Sequence, residues 1–255
     1  MVVSVAGEPL LAFLLASVRI ASWLVIVPPF STRAVPTMVK VVLALALALA
    51  SAPMLSGADL PLTAAGLVMT TATQVAIGLS LGFVTMLLLS AIAAAGSLVD
   101  LFGGFALAQG FDPLGQNMNT VFGTFHQWLA TMLLFATGGH LLVLGGLLRT
   151  FELLPLDGAF DLTGVPAVVS RAFSVFFVVA VQVALPLVAV MFVTDLGLAL
   201  MTKVAPQLNA LSVMFPAKIG MTLILVGLSF PALPGVVRRV TELSMDAMAR
   251  IAGAG

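Results

Sequence analysis

Apolar residues run almost unbroken along this chain, and polar or Pro/Gly-rich breaks divide them into Leu10–Phe30, Val35–Ala52, Leu62–Val99, Val121–Leu148, Val165–Thr202 and Ala210–Phe230. Residues 235–252 are more polar but keep helical spacing. A strand of a membrane barrel alternates over about ten residues. These runs are continuous, so they read as helices. The expected fold class is all-α, built of hydrophobic helical hairpins, about six to eight helices in one membrane-associated unit.

The run lengths fit a bilayer poorly. A span needs about 20 residues to cross about 30 Å of hydrocarbon. The second run has Pro36 at its expected first helical position and Pro53 closing it, so it reaches about 25 Å at 1.5 Å per residue. The third would extend about 55 Å as one helix. It contains no proline, and Gly66, Gly78, Gly82 and Gly96 are its weak points, so a hairpin inside it is poorly signalled. The fifth carries Pro186 in its interior, a predicted kink. Such lengths point to helices packed on other proteins rather than standing alone in lipid.

Composition adds the environment. Of 255 residues 61% are hydrophobic and 8% charged, against about 25% charged in soluble domains, and the mean hydropathy is +1.23. A water-soluble particle cannot hide that much apolar surface, so lipid or partner subunits must cover it. Net charge is zero, which argues against nucleic acid as a partner. The chain has no cysteine, which removes disulfide, Cys-metal and thiol chemistry. Residues 1–9 hold Glu8 and no Lys or Arg, unlike a cleavable signal, so the first run is expected to stay in the membrane. Arg33, Lys40, Arg238, Arg239 and Arg250 would place the 31–40 loop and the C-terminal end on the cytoplasmic side.

Candidate chemistry is sparse. His126 and His140 lie in apolar runs away from any carboxylate or serine nucleophile in sequence, and no HExxH, GxSxG or Walker pattern is present. The chain is not expected to be an enzyme, and no cofactor or metal is implied. Arg19, Arg171 and Asp195 sit inside apolar runs, where each would cost about 2.5–3.5 kcal/mol at a bilayer centre. They are expected to face a polar cavity or a buried charge partner. Both a proton relay, as in a secondary transporter, and structural pairing fit that requirement. Lys203, eight residues after Asp195, offers a local ion pair.

The segment Asp100–Thr120, DLFGGFALAQGFDPLGQNMNT, is the most distinctive loop. Its glycines allow close backbone approach and Asp112-Pro113 breaks any helix. Non-helical backbone at membrane depth is tolerated only when buried in protein or lining a watery cavity. This loop reads either as a Phe-bearing closure of a pore or as an ordinary connection. Two proline-marked elements also resemble each other: Pro28–Lys40 and Ala205–Lys218, each preceding an apolar run.

Four blocks carry a resemblance to a known family. They are Val18–Ala21 with Ser31–Lys40 (STRAVPTMVK), the loop through Phe111-Asp112-Pro113, Gly139–Leu144 with Thr150–Pro155, and Leu196–Asn209 (LGLALMTKVAPQLN) followed by Phe215-Pro216. Together, in this order, they resemble the FliR/SctT family of type III secretion export-gate proteins. The resemblance implies a non-enzymatic subunit of a helical hetero-oligomeric export gate in the bacterial inner membrane and flagellar basal body. Its partners there would be FliP and FliQ, adjoining FlhB and FlhA, and unfolded flagellar proteins would be its cargo. A virulence injectisome gate is the neighbouring alternative. The N-terminal part would be FliP-like and about 165–255 FliQ-like. The channel plug would comprise Gly103, Gly104, Phe105, Ala106, Leu107, Gln109, Gly110, Phe111, Asp112, Pro113, Met118 and Asn119. Helix breaks and subunit packing would use Arg33, Pro36, Lys40, Pro206, Gln207, Asn209, Pro216 and Lys218.

Overall fold

The computed structural model describes residues 4–55, 60–61, 63–105, 120–204 and 210–253. Among them every regular element is helical. The elements are α1 (Ser4–Ile26), α2 (Thr37–Ala50), α3 (Ala64–Gly103), α4 (Val121–Ala136), α5 (Gly139–Leu153), α6 (Val165–Val204), α7 (Ala210–Ser229) and α8 (Leu233–Gly253). Single 3-10 turns at Ala52–Met54 and Phe230–Ala232 follow α2 and α7.

The third run is one helix, not a hairpin. α3 and α6 each have 40 residues, about 60 Å of helix, whereas α2 has 14 residues and stops short of a bilayer. The fourth run is broken after Thr137, where Gly138 takes φ +73°, a left-handed conformation that glycine adopts without strain. Four segments are long and apolar enough to cross a membrane: Gly7–Ile26, Ala64–Gly103, Val165–Val204 and Pro216–Gly253. With these segments the chain is a multi-pass membrane protein. Pro9, Pro186 and Pro216 all lie inside helices, as membrane helices tolerate. Pro216 therefore does not end α7; the helix begins earlier, at Ala210.

The chain divides into two compact units, each assembled from separate stretches. The first comprises residues 1–89, 138–174 and 240–255. Its core is a stripe on α1, Ala12, Ala16, Ile20, Trp23 and Val27, at the 3- and 4-residue spacing of one helix face. Ile77 and Leu81 of α3, Leu147 and Phe151 of α5, and Met248 and Ile251 of α8 are buried in the same unit. Trp23 also packs on Phe30 with ring centroids 5.9 Å apart.

What brings α1 close to α3 is the Gly78-x-x-x-Gly82 spacing, a small-residue pair of the kind that lets helix backbones approach. A Cβ at Gly78 would run into the Arg19 carbonyl and the Ser22 side chain, and one at Gly82 would press on the Trp23 backbone. Gly78→Ala is therefore expected to destabilise the chain. Alanine recovers about 1 kcal/mol of helix propensity, but overpacking against backbone costs about 1–3 kcal/mol and the obstructing carbonyl cannot rotate away. Gly145→Ala, where nothing lies within 4 Å of the added carbon, should be neutral or stabilising. Thermal melts of both variants in detergent test this; equal melting temperatures would refute the close-approach argument.

The second unit comprises residues 90–137 and 175–239. One core cluster joins Val99 of α3, Phe122 of α4, Leu187 and Met191 of α6 and Val226 of α7. Another joins Ile92, Leu134 and Val237. The opposite side of α6 is apolar too, and Phe177, Phe192, Val193, Leu200 and Val204 are more than half exposed. α2 is similar: Ala44 and Ala48 are buried while Met38, Val42 and Leu49 stand exposed.

Candidate functional site

The glycine-rich segment leaves the end of α3 and returns at the start of α4, and both of its ends are held within the second unit. Asp100, in the last turns of α3, is fully buried. Its Oδ1 accepts the Phe122 N–H at 3.0 Å and its Oδ2 the Gly123 N–H at 3.0 Å. The first N–H groups of a helix have no partner inside it and form a positive pole. A carboxylate therefore serves there as a cap, here delivered from 22 and 23 residues upstream of the groups it accepts from. Thr120, at the N-cap position, makes no cap bond of its own; its hydroxyl shares a hydrogen bond with Ser97 at 2.9 Å. Gly96 completes the contact, since a Cβ there would collide with the Phe122 carbonyl. Phe105 then meets Phe122 edge-to-face, centroids 5.0 Å apart.

Where α3 ends, Gly103 and Gly104 rest on α7. Gly103 lies against Thr222, and Gly104, at φ +83°, lies under the aliphatic stem of Lys218. From there the Lys218 ammonium reaches Asp195 of α6 at 2.8 Å. Lys218 thus spans from the loop root to α6, with its stem on glycine and its charge on a carboxylate. Among the described residues the other Asp195 oxygen, which is buried, has no hydrogen-bond partner. One turn into α4, the His126 Nδ1–H donates to the Phe122 carbonyl at 2.8 Å, and that ring is buried.

Of the residues singled out from sequence, Gly103, Gly104, Phe105, Asp195 and Lys218 come together here. Asp195 faces Lys218 rather than Lys203. Ala106, Leu107, Gln109, Gly110, Phe111, Asp112, Pro113, Met118 and Asn119 lie outside the described residues, as do Pro206, Gln207 and Asn209. Arg171 is exposed near the start of α6. In the loop between α1 and α2, Arg33 is exposed, Pro36 holds the N-cap position of α2, and Lys40 donates to the Thr32 carbonyl at 3.4 Å. Among the described residues no three His, Asp or Glu side chains gather as a metal would require. Asp100 is the residue that sequence reasoning passed over. Its signal was a lone carboxylate closing a long apolar run.

Arg19 belongs to a separate cluster in the first unit. It is fully buried, with Nε donating to Gln74 Oε1 at 2.7 Å and Nη1 to the Leu154 carbonyl at 2.9 Å. Its guanidinium lies over the Phe151 ring, 4.3 Å from the centroid. Gln74 donates in turn to the Leu156 carbonyl at 3.1 Å. Side chains of α1 and α3 thereby satisfy carbonyls at and beyond the C-terminal end of α5, the negative pole of that helix.

The chain is similar to known proteins over most of its length. The flagellar biosynthetic protein FliR of Bacillus subtilis (strain 168) is 28% identical over 246 residues, 94% of either chain. That of Pectobacterium carotovorum subsp. carotovorum is 30% identical over 234 residues, 92% of this chain and 90% of the relative. That of Escherichia coli (strain K12) is 30% identical over 198 residues, 78% and 76% respectively. The ends of the glycine-rich segment and the Arg19 cluster fall within residues 10–244, the stretch that matches the sequence profile of a family described as bacterial export proteins, family 1, and over that extent the chain belongs to this family.

Proposed function

We propose that this chain is a non-enzymatic gate subunit of the flagellar protein-export apparatus. In this reading it sits in the inner membrane at the flagellar basal body with FliP and FliQ, next to FlhB and FlhA, and unfolded flagellar proteins pass along it. The observation that carries the proposal is the likeness, over more than nine-tenths of the chain, to proteins named for flagellar biosynthesis. The exposed apolar faces of α2 and α6 support it, because a helix that is apolar all round needs protein or lipid on every side. The N-terminal part takes the FliP-like role and residues 165–255 the FliQ-like one. Residues 103–119 act as the plug, with Met118 and the phenylalanines as a deformable apolar seal.

Two measurements test this. Tagged protein drawn from bacterial membranes should bring FliP and FliQ with it, and a strain lacking the gene should build no flagella. Shortening residues 106–115 should let small solutes leak across the membrane at unchanged complex levels. The deletion spares Asp100, Phe105 and Phe122, whose contacts keep the loop ends close, so about 15 Å of remaining chain suffices to rejoin them. Unaltered permeability with an intact complex would remove the plug assignment while leaving the export role standing.

A further inference from the structure

Away from the loop, the first unit carries an open groove of about 550 Å³ lined by Arg149 and Leu153 of α5, Val168 of α6, and Ala249, Arg250 and Gly253 of α8. We propose that this groove binds an anionic phospholipid, its phosphate between Arg149 and Arg250 and its acyl chain along Leu153 and Val168. Three features point that way. Two guanidiniums from different helices converge on one depression, and guanidinium forks match phosphate oxygens in bidentate geometry. Among the described residues no carboxylate lines the groove. Glu152 adjoins Leu153 in the chain, and Asp246 lies one turn before Arg250, which it faces at 2.9 Å. That pair is more than half exposed on both sides and joins neighbours one turn apart, a weak contact that a phosphate readily replaces. Arg149 is exposed and makes no hydrogen bond or ion pair among the described residues.

The rest of the lining decides the class of anion. Leu153, Val168 and Ala249 form an apolar floor beside the charges, on helices of a membrane-spanning chain. A free inorganic anion gains nothing from that floor, whereas a headgroup joined to hydrocarbon uses both parts. Basic pockets between membrane helices on the cytoplasmic side have this composition and hold anionic headgroups. The volume lies within the range of small-molecule sites, about 300–1,000 Å³, and its openness suits a ligand whose tails remain in the bilayer.

The experiment is a lipid titration of the full chain purified in mild detergent, read by native mass spectrometry, with phosphatidylglycerol, phosphatidylcholine and inorganic phosphate as probes. Phosphatidylglycerol should remain bound as a discrete adduct. Its apparent affinity should fall about tenfold or more in the Arg149→Ala, Arg250→Ala double variant. Val168→Trp, which keeps both charges but fills the floor, should weaken it too. Arg33→Ala, which removes an exposed arginine elsewhere, should leave it unchanged. The proposal fails if the double variant binds as the parent does, if phosphatidylcholine binds as well, if Arg33→Ala has the same effect, or if inorganic phosphate displaces the lipid. Should the double variant lose its helical spectrum, the Val168→Trp result decides alone: undiminished binding there refutes the groove.

Discussion

Arg19→Ala is expected to lower stability by about 3–5 kcal/mol, because it orphans two buried acceptors at about 1–3 kcal/mol each and removes the packing of its side chain on Phe151. The argument is an account of hydrogen bonds. Arg19 is fully buried, and its loss leaves Gln74 Oε1 and the Leu154 carbonyl without the donors now at 2.7 and 2.9 Å. It also uncovers one face of Phe151 and removes the positive charge at the C-terminal pole of α5. Lysine cannot substitute well, because one ammonium cannot donate to Gln74 and α5 while lying flat on the ring. The expected order of stability is parent, then Lys, then Ala. In a chain of this size about 3–5 kcal/mol lowers the melting temperature by roughly 10 °C, measurable by circular dichroism in detergent. An alanine variant that melts within about 2 °C of the parent would show that the cluster contributes no net stability.

Asp100→Ala should cost about 2–3 kcal/mol, less than Arg19→Ala but with a local consequence that Arg19 lacks. Each buried hydrogen bond to a charged acceptor contributes about 1.5–3 kcal/mol, and the alanine variant orphans two N–H groups, those of Phe122 and Gly123. The two bonds share one carboxylate, and part of its desolvation penalty disappears with it, so the sum is less than additive. Asp100→Asn keeps one acceptor and turns an N–H₂ toward an N–H, which places it between parent and alanine. Because the lost bonds join α3 to α4 across the loop, hydrogen exchange should rise first at Phe122 and Gly123 and only weakly at α1. Uniform loss of protection over both units would contradict a local clamp.

The contrast between the two clusters explains what could be read in advance. Helix formation and membrane character follow from continuous apolar runs, a property local to each stretch, so α2, α6 and α7 begin and end close to where the runs do, while α1, Ser4–Ile26, is displaced toward the N-terminus of its run. The break inside Val121–Leu148 was less legible. Gly138 is one of many glycines in this chain, and its positive φ, shared among the described residues with Gly104 alone, carries no mark in the sequence. Glycines 78, 82 and 96 read as weak points of a helix. In the fold they are places where another backbone lies against it, because the missing side chain is used by the neighbour rather than by the helix itself.

Charges were the least legible. That Arg19 and Asp195 need compensation follows from the cost of an uncompensated charge among apolar residues, but the compensating group is chosen by tertiary contact. Arg19 is answered by Gln74 and helix-end carbonyls more than a hundred residues away in the chain, and Asp195 by Lys218. Backbone carbonyls carry no letter in a sequence, so no motif announces them. By itself the sequence determined an all-helical membrane chain, because hydropathy and backbone preference act over a few neighbouring residues. Only the tertiary structure decided which helices touch through glycine, which carboxylate caps α4, and which polar groups receive each buried charge, because those partners are selected by distance in space.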